Sequence, residues 1–444
     1  MHKVLIANRG EIARRIIRTC KQVGIATVAV HSEADKAMPF VREADESVLI
    51  GPPPVPQSYL NMEAIISACK STGADAIHPG YGLLSENPAF ARRCVEEGIT
   101  FIGPTPEVIS KMGDKVTARR IMREAGVPIV PGIEAQMDTP EEAIHHAGQI
   151  GYPVMLKASA GGGGIGMQVC HSDDELRQAF QSAKGRAKAY FGNDTMFLEK
   201  FVQNPHHIEV QVIADHHGNY LHALERECSI QRRHQKVIEE SPSPFLDHET
   251  REKICEAALE AARAVSYTGV GTVEFIMDDA KNFYFLEMNT RLQVEHPVTE
   301  EMTGLDLVAL QLEIAKNHSI SLTQSDITAK KHAIELRVYA EDPKTFLPSP
   351  GTIQEYKPPV LANVRIDDAV EAGTQVTPFY DPMIAKVIVT GETREQAVVL
   401  AQKALEDFEI SGIKTNIPFL MEVLADDDFQ KGKYDTQFIQ KKRS

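Results

Sequence analysis

Apolar residues fall at two kinds of spacing along the first third of the chain. Val4-Leu-Ile-Ala7, Ala26-Thr-Val-Ala-Val30 and Ala74-Asp-Ala-Ile-His78 are short apolar runs that predict strands. Between the first two, Asn8-Arg-Gly10 predicts a turn and Glu11–Cys20 carries apolar residues at helical spacing; the third strand ends in the turn Pro79-Gly-Tyr-Gly82. Strands alternating with helices predict a parallel, doubly wound sheet. One helical stretch is expected from about Thr105 to Ala125, closed by the Pro-rich run Gly126–Gly132. From there to about Ser319 strands mix with helices such as His248–Ala264. Leu322–His332 reads as a polar connector. The last part holds short strands (Ala333–Tyr339, Pro382–Val389) and a helix, Arg394–Phe408. No internal repeat or low-complexity segment stands out.

The alternation is most suggestive at Phe285–His296. Glu287, Asn289, Arg291, Gln293 and Glu295 recur at period two, so in an extended chain all five share one face. Two acids, an amide and an arginine on one face suit a metal ion and an anion together, because Mg²⁺ prefers carboxylate and amide oxygens. A half-solvated strand with its polar face in water gives the same pattern. Similar alternation recurs at Thr272–Ile276 with Glu274, at His207–Val212 with His207, Glu209 and Gln211, and at Ile334–Tyr339 with Glu335 and Arg337. Four such strands together favour one polar floor.

Two further features point to phosphate. Lys157 precedes a glycine run, Gly161–Gly164, flanked on both sides by strand-like residues. No Gly-Lys-Ser/Thr follows, and the next element reads as a strand, so the run is neither a Walker A loop nor a dinucleotide fingerprint. A hairpin with a glycine tip fits best, letting backbone N–H groups approach phosphate closely; a flexible turn is the plain alternative. The second feature is Glu225–Lys236, which contains Arg232-Arg-His-Gln-Lys236 and is the densest basic cluster of the chain. It suits an anion or a solvated charged loop equally well. Cys228 lies inside it with no activating base in view.

Composition narrows the partners. Lys plus Arg number 47 against 62 Asp plus Glu, a net charge of −15 over 444 residues. Such a surface repels nucleic acid and anionic lipid, so neither is expected as a partner. The six cysteines have no zinc-like spacing, which fits free thiols in a reducing cytoplasm. No apolar run is long enough to span a bilayer, and the first residues run into a strand without a signal-peptide layout.

These segments together resemble the biotin carboxylases of the ATP-grasp superfamily. The likeness runs from Ile6-Ala-Asn-Arg-Gly-Glu-Ile-Ala13 through His78-Pro-Gly-Tyr-Gly-Leu-Leu-Ser-Glu-Asn87, Arg232–Lys236 and Glu287-Met-Asn-Thr-Arg-Leu-Gln-Val-Glu-His-Pro297 to Ala340-Glu-Asp-Pro343 and Gly412-Ile-Lys-Thr-Asn416. The segment around Arg291 is the most specific of these. The resemblance implies an N-terminal doubly wound α/β domain (1–113), a central ATP-grasp domain (114–320) with a mobile glycine-rich lid over about 131–203, and a C-terminal mixed α+β domain (331–444). It also implies the reaction ATP + bicarbonate + biotin → ADP + phosphate + carboxybiotin, with two Mg²⁺ or Mn²⁺ ions.

Carried over by residue, the resemblance implies ATP contacts from Lys115, Lys157, Gly163, Gly164, Glu199, Lys200, Phe201, Val202, His207, Gln231, His234, Glu274 and Glu287. It implies metal ligation by Glu274, Glu287 and Asn289, and bicarbonate binding by Lys236, Arg291, Gln293 and Val294. Glu295 is then the base for bicarbonate, and Arg337 the stabiliser of the biotin enolate. Ile165 stands where many members of the family carry a basic residue. No Met-Lys dipeptide, the usual biotin attachment site, occurs in the chain, so biotin is expected on a separate carrier protein, with carboxyltransferase subunits and a homodimer as further partners. The expected context is acetyl-CoA carboxylation for fatty acid synthesis. Another ATP-grasp carboxylate–amine ligase and a nucleotide-binding scaffold subunit are the alternatives. The scaffold predicts lost metal ligands, yet Glu274, Glu287 and Asn289 are all present.

Overall fold

In the computed structural model, residues 1–133, 137–158, 168–191 and 196–443 are described. The first strands form where the apolar runs predict them: β1 (Lys3–Ile6), β2 (Ala26–Ser32), β3 (Glu46–Gly51), β4 (Ala76–His78) and β5 (Thr100–Phe101), in the parallel order β3-β2-β1-β4-β5. Val4, Leu5 and Ile6 are all fully buried, as expected of a central parallel strand covered on both faces. The helix Gly10–Gln22 follows β1. After β4 the chain turns at Gly80, whose φ of +63° and whose neighbour, Asn8 Nδ2, 2.8 Å from where a Cβ would sit, leave room for glycine alone. The helical stretch expected over 105–125 is two helices, Pro106–Gly113 and Lys115–Glu124. Asp114 separates them by accepting from Thr117 N at 2.7 Å, a cap that starts the second helix afresh.

The chain divides into two compact units. The first comprises Met1–Val127, His206–Phe275 and Glu287–Ser444; the second comprises Pro128–Pro205 and Ile276–Leu286.

The second unit contains a sheet of β6 (Gly132–Ile133), β7 (Val154–Ala158), β8 (Gln168–Cys170) and β9 (Met196–Lys200) in the order β6-β9-β7-β8. Val154, Leu156, Cys170 and Leu198 pack into one core with Ala143 and Ala147 of the helix Pro140–Ile150 and with Leu176 and Phe180 of the helix Asp173–Phe191. β7 and β8 pair antiparallel, so the strands flanking the glycine run form the expected hairpin. Its tip, with Gly163, Gly164 and Ile165, lies outside the described residues.

An eight-stranded sheet carries most of the alternating segments. Its strands are β10 (His206–Ala214), β11 (Tyr220–Arg232), β12 (Gln235–Ser241), β13 (Gly269–Met277), β14 (Phe283–Asn289), β15 (His332–Tyr339) and the strands Val364–Asp368 and Met383–Gly391. The order is β14-β13-β10-β11-β12-β15, followed by Met383–Gly391 and Val364–Asp368. The four alternating segments thus belong to one sheet, with β11 and β12 between them. The fivefold polar face expected over 287–295 is shorter than the pattern implied, because β14 ends at Asn289. There the backbone N–H of Thr290 leaves the ladder for the Glu86 carboxylate at 3.0 Å, and Pro297 opens a helix, His296–Thr303. Arg291, Gln293, Val294 and Glu295 occupy the loop between.

Candidate functional site

Lys236 on β12 is the hub of a buried cluster in the first unit. Its Nζ donates to Glu209 Oε2 at 2.6 Å, Glu295 Oε1 at 2.7 Å and Glu274 Oε1 at 3.1 Å, joining β10, the 290–295 loop and β13. Burial alone would strip the proton from this ammonium, but the three carboxylates outweigh it and hold Lys236 charged well above the ordinary lysine range. Burial likewise favours neutral Glu274 and Glu295. Lys236 and then His207 overcome it at Glu274, and Lys236, Arg337 and Arg226 at Glu295, so both stay ionised well below the usual carboxylate range.

The loop is held from several sides. Gln293 Nε2 donates to Glu274 Oε1 at 2.6 Å, and Arg291 donates from Nη2 to Asn289 Oδ1 at 2.8 Å and from Nε to Glu86 Oε2 at 2.9 Å. Arg226 of β11, wholly buried, reaches Gln293 Oε1 at 2.5 Å, Gln211 at 2.7 Å and Glu209. Arg337 Nη2 bonds Glu295 Oε2 at 2.9 Å. Lys386, in the strand Met383–Gly391, donates to the Val294 carbonyl at 2.7 Å. Lys236, Gln293, Glu295 and Arg337 therefore converge, and Arg291 sits at the loop's exposed edge.

A second chain of contacts runs to His207. Gln231 Nε2 donates to His207 Nδ1 at 2.8 Å, which places the ring proton on Nε2, 2.6 Å from Glu274 Oε2. His234 stands apart, exposed at the β11–β12 tip with Arg233. Both residues have positive φ, 51° for Arg233 and 66° for His234, in a two-residue connection that Asn-Gly would ordinarily fill. Cys228 is fully buried, and that burial pushes its thiol well above the ordinary range, so it is no nucleophile.

The donors for a metal are oxygen. Glu287 makes no hydrogen bond or ion pair among the described residues, and burial together with the Glu274 charge raises its carboxyl, with Lys115 offsetting part. Asn289 Nδ2 donates to Glu274 Oε1 at 2.7 Å. Glu274 bonded to Asn289, together with Glu287 two positions before Asn289 on the same face of β14, offers the oxygen ligands that suit a hard divalent cation such as Mg²⁺. His207, Glu209 and Glu274 also lie close enough to share an ion, but Glu209 is already taken by Lys236 and Arg226, and His207 by Gln231 on one ring nitrogen and Glu274 on the other.

In the second unit, Lys157 pairs with Glu199 across β7 and β9. The Lys200 ammonium donates to the carbonyls of Gly151 and Tyr152, both at 2.9 Å. Phe201 N donates to Pro153 O at 3.0 Å, and Val202 is buried.

Residues 1–109 match the model of the biotin carboxylase N-terminal domain and 335–441 that of the biotin carboxylase C-terminal domain. Residues 114–323 match the ATP-binding domain of the carbamoyl-phosphate synthase L chain. The biotin carboxylase of Halalkalibacterium halodurans is 58% identical over 437 residues, which cover 98% of this chain and 97% of that one. The chain belongs to the biotin carboxylase family. It is also 51% identical over 440 residues to the mitochondrial propionyl-CoA carboxylase alpha chain of Homo sapiens, covering 98% of this chain and 60% of that one. Among solved structures it is similar to the biotin carboxylase domain dimer of Hydrogenobacter thermophilus 2-oxoglutarate carboxylase in complex with MgADP, ADP and bicarbonate. That match has a TM-score of 0.88 and 48% identity, covering 99% of this chain and 97% of that one.

Several site residues carry little signal in a single sequence. Glu86 reaches the loop from 205 positions away. Arg226 and Glu209 look like ordinary strand charges until the sheet forms. Lys386 had a legible mark: it is a lone cation inside the apolar run Met383-Ile-Ala-Lys-Val-Ile-Val389.

Proposed function

We infer that this protein carboxylates biotin with bicarbonate at the expense of ATP, the first half-reaction of an acyl-CoA carboxylase. The observation that carries the reading is the convergence of Glu274, Glu295 and Glu209 on Lys236, beside Arg291, Gln293 and Arg337, in a member of this family. One lysine joins a carboxylate suited to metal and a carboxylate suited to taking a proton, with cations on either side for a small anion.

Bicarbonate is proposed to bind between Lys236, Arg291, Gln293 and the Val294 backbone. Glu295, kept ionised by Lys236, takes its hydroxyl proton, and the resulting anion attacks the γ-phosphorus of ATP to give carboxyphosphate and ADP. Carboxyphosphate breaks to CO₂ and phosphate. The released phosphate takes the proton of the biotin ureido nitrogen, and that nitrogen then attacks CO₂ while Arg337 stabilises the negative ureido oxygen. Glu274, Glu287 and Asn289 are the proposed holders of Mg²⁺, which supplies charge neutralisation at the phosphates when bound. The ATP contacts are assigned to Lys115, His207, Gln231 and His234, and in the second unit to Lys157, the glycine tip and Glu199–Val202. The proposed division is 1–113, 114–320 with a lid over about 131–203, and 331–444.

The proposed partners are a biotinylated carrier protein, carboxyltransferase subunits and a second copy of the chain. Similarity to separate biotin carboxylases and to a propionyl-CoA carboxylase chain supports an acyl-CoA carboxylase, with acetyl-CoA the proposed substrate of the partner. Among the described residues no helix is long and apolar enough to cross a membrane, and all six cysteines are free and buried, which supports a cytoplasmic setting. The test is ADP release with and without bicarbonate and free biotin. Stimulation by both is expected; no response to either would overturn the reading.

A further inference from the structure

Two glutamates with no part in the chemistry above stand beside Arg337. Glu239 on β12 and Glu335 on β15 are register partners, and both are fully buried. Directly opposed residues of an antiparallel pair put their side chains on the same face, with Cβ atoms about 5 Å apart. Arg337 lies two positions beyond Glu335 and so shares that face; Lys386, opposite Arg337 on the next strand, shares it as well. Neither oxygen of Glu335 has a hydrogen-bond partner among the described residues. Glu239 Oε1 stands 2.5 Å from Arg337 Nη2, in an ion pair rather than an aligned hydrogen bond. That same nitrogen bonds Glu295 Oε2 at 2.9 Å. One guanidinium nitrogen therefore serves two carboxylates, and only one of them, Glu295, belongs to the substrate loop.

Two carboxylates this close and this dry do not both ionise. Burial raises Glu335 well above the ordinary range, with Lys386 pulling the other way, and raises Glu239 to about 7 against the pull of Arg337. Glu335 holds its proton the more firmly of the two, and Glu239 is the carboxyl that contacts Arg337.

We propose that Glu239 is a positioning residue for Arg337: it anchors the guanidinium through a carboxylate outside the substrate loop, so that the cation stays in place when Glu295 loses its charge. The proposal rests on the roles given above to Glu295 and Arg337. In the resting site Arg337 neutralises Glu295. When the bicarbonate proton moves from its oxygen to Glu295, that attraction lapses, and the freed edge of the guanidinium is available to the negative ureido oxygen of biotin. Glu239 keeps it from swinging away in the interval. The two anionic steps are thereby ordered, because Arg337 is released for the second only after the first proton has moved.

The test is steady-state kinetics of the full chain with free biotin, ATP and bicarbonate varied in turn. Glu239→Gln keeps the shape and removes the charge. It is expected to lower kcat/KM for biotin at least tenfold while KM for ATP and for bicarbonate stays within twofold. Glu239→Asp, which withdraws the carboxylate by one methylene, is expected to lose less, about threefold, again in biotin alone. Glu335→Gln, which mimics a protonated acid, is expected to stay within twofold of the parent. Parent-like kcat/KM for biotin in Glu239→Gln overturns the proposal, as does an equal loss in all three substrates with a lowered melting temperature. Should Glu239→Gln not fold, Glu239→Asp decides: an unchanged biotin KM overturns the anchor. A parent protein without biotin-dependent turnover would sink the reading of the site instead.

Discussion

Arg291 is held by neighbours of opposite origin, the Asn289 amide two positions back and the Glu86 carboxylate of the N-terminal α/β region. Its guanidinium is thus fixed before any substrate arrives, which lowers the entropic cost of binding a small anion. Arg291→Ala is expected to cut turnover by about 10²–10³-fold, as loss of a preorganised cation does, while ATP affinity by fluorescence titration stays within about twofold. Near-parent turnover would remove Arg291 from the chemistry. At this scale the sequence was legible where polar residues recur at period two: Glu274, Glu287, Asn289, Gln293 and Glu295 all lie in or beside the cluster. It was silent on Arg226 and Glu86, because what marks them is the partner that folding brings, not their own neighbours in the chain.

Among elements, the strand Met383–Gly391 has an effect beyond its place in the ladder. Lys386, fully buried, sends its ammonium to the Val294 carbonyl at 2.7 Å and to Glu11 Oε1 at 3.2 Å, tying the 290–295 loop to the first helix. A hydrogen bond from a charged donor contributes about 1.5–3 kcal/mol. Lys386→Met is therefore expected to raise KM for bicarbonate roughly 10- to 100-fold, with KM for ATP little changed; a parent-like bicarbonate KM would show that the loop holds its own shape. Elements were legible wherever periodicity was strong, as in the parallel sheet, the helix His248–Ala264 and the hairpin either side of the glycines. They were misread where a side chain competes with the backbone: Asp114, next in the chain, splits one expected helix in two, and Glu86, far away in the chain, captures the Thr290 N–H and ends β14 early.

For the whole molecule, the acidic balance hides a buried junction that contributes to its stability above acid pH. Glu240 on β12 accepts from His332 Nε2 at 2.6 Å, from Arg394 Nε and Nη2 at 2.7 and 3.0 Å, and from Tyr434, linking the large sheet to the last helices. Burial opposes ionisation, but His332 and Arg394 overcome it and bring Glu240 down from 4.5 to about 2. A carboxylate lowered on folding adds stability that is complete above its unfolded value and fades as pH falls toward the folded one. The contribution, on the order of 3 kcal/mol, should be lost between about pH 4.5 and 2. Urea melts of Glu240→Gln are expected to be weaker than the parent at pH 7 and to converge on it in acid; parallel curves would dismiss the junction. Three-part organisation was readable from the chain as a whole. The resemblance set apart a lid over about 131–203, but nothing in the chain marked residues 276–286 as belonging to the same compact unit as 128–205.

The β11–β12 tip sets two goals of protein engineering against each other. Arg233 and His234 both hold left-handed backbone, a geometry that disfavours non-glycine residues by roughly 1–2 kcal/mol each. Changing Arg233→Asn together with His234→Gly would relieve that strain and raise the melting temperature by up to about 2–4 °C for a chain of this size. It would also delete the imidazole assigned to the nucleotide, so the hardier variant should need more ATP for half-maximal rate. A design campaign scored on heat resistance alone would select this change early and pass on a slower catalyst.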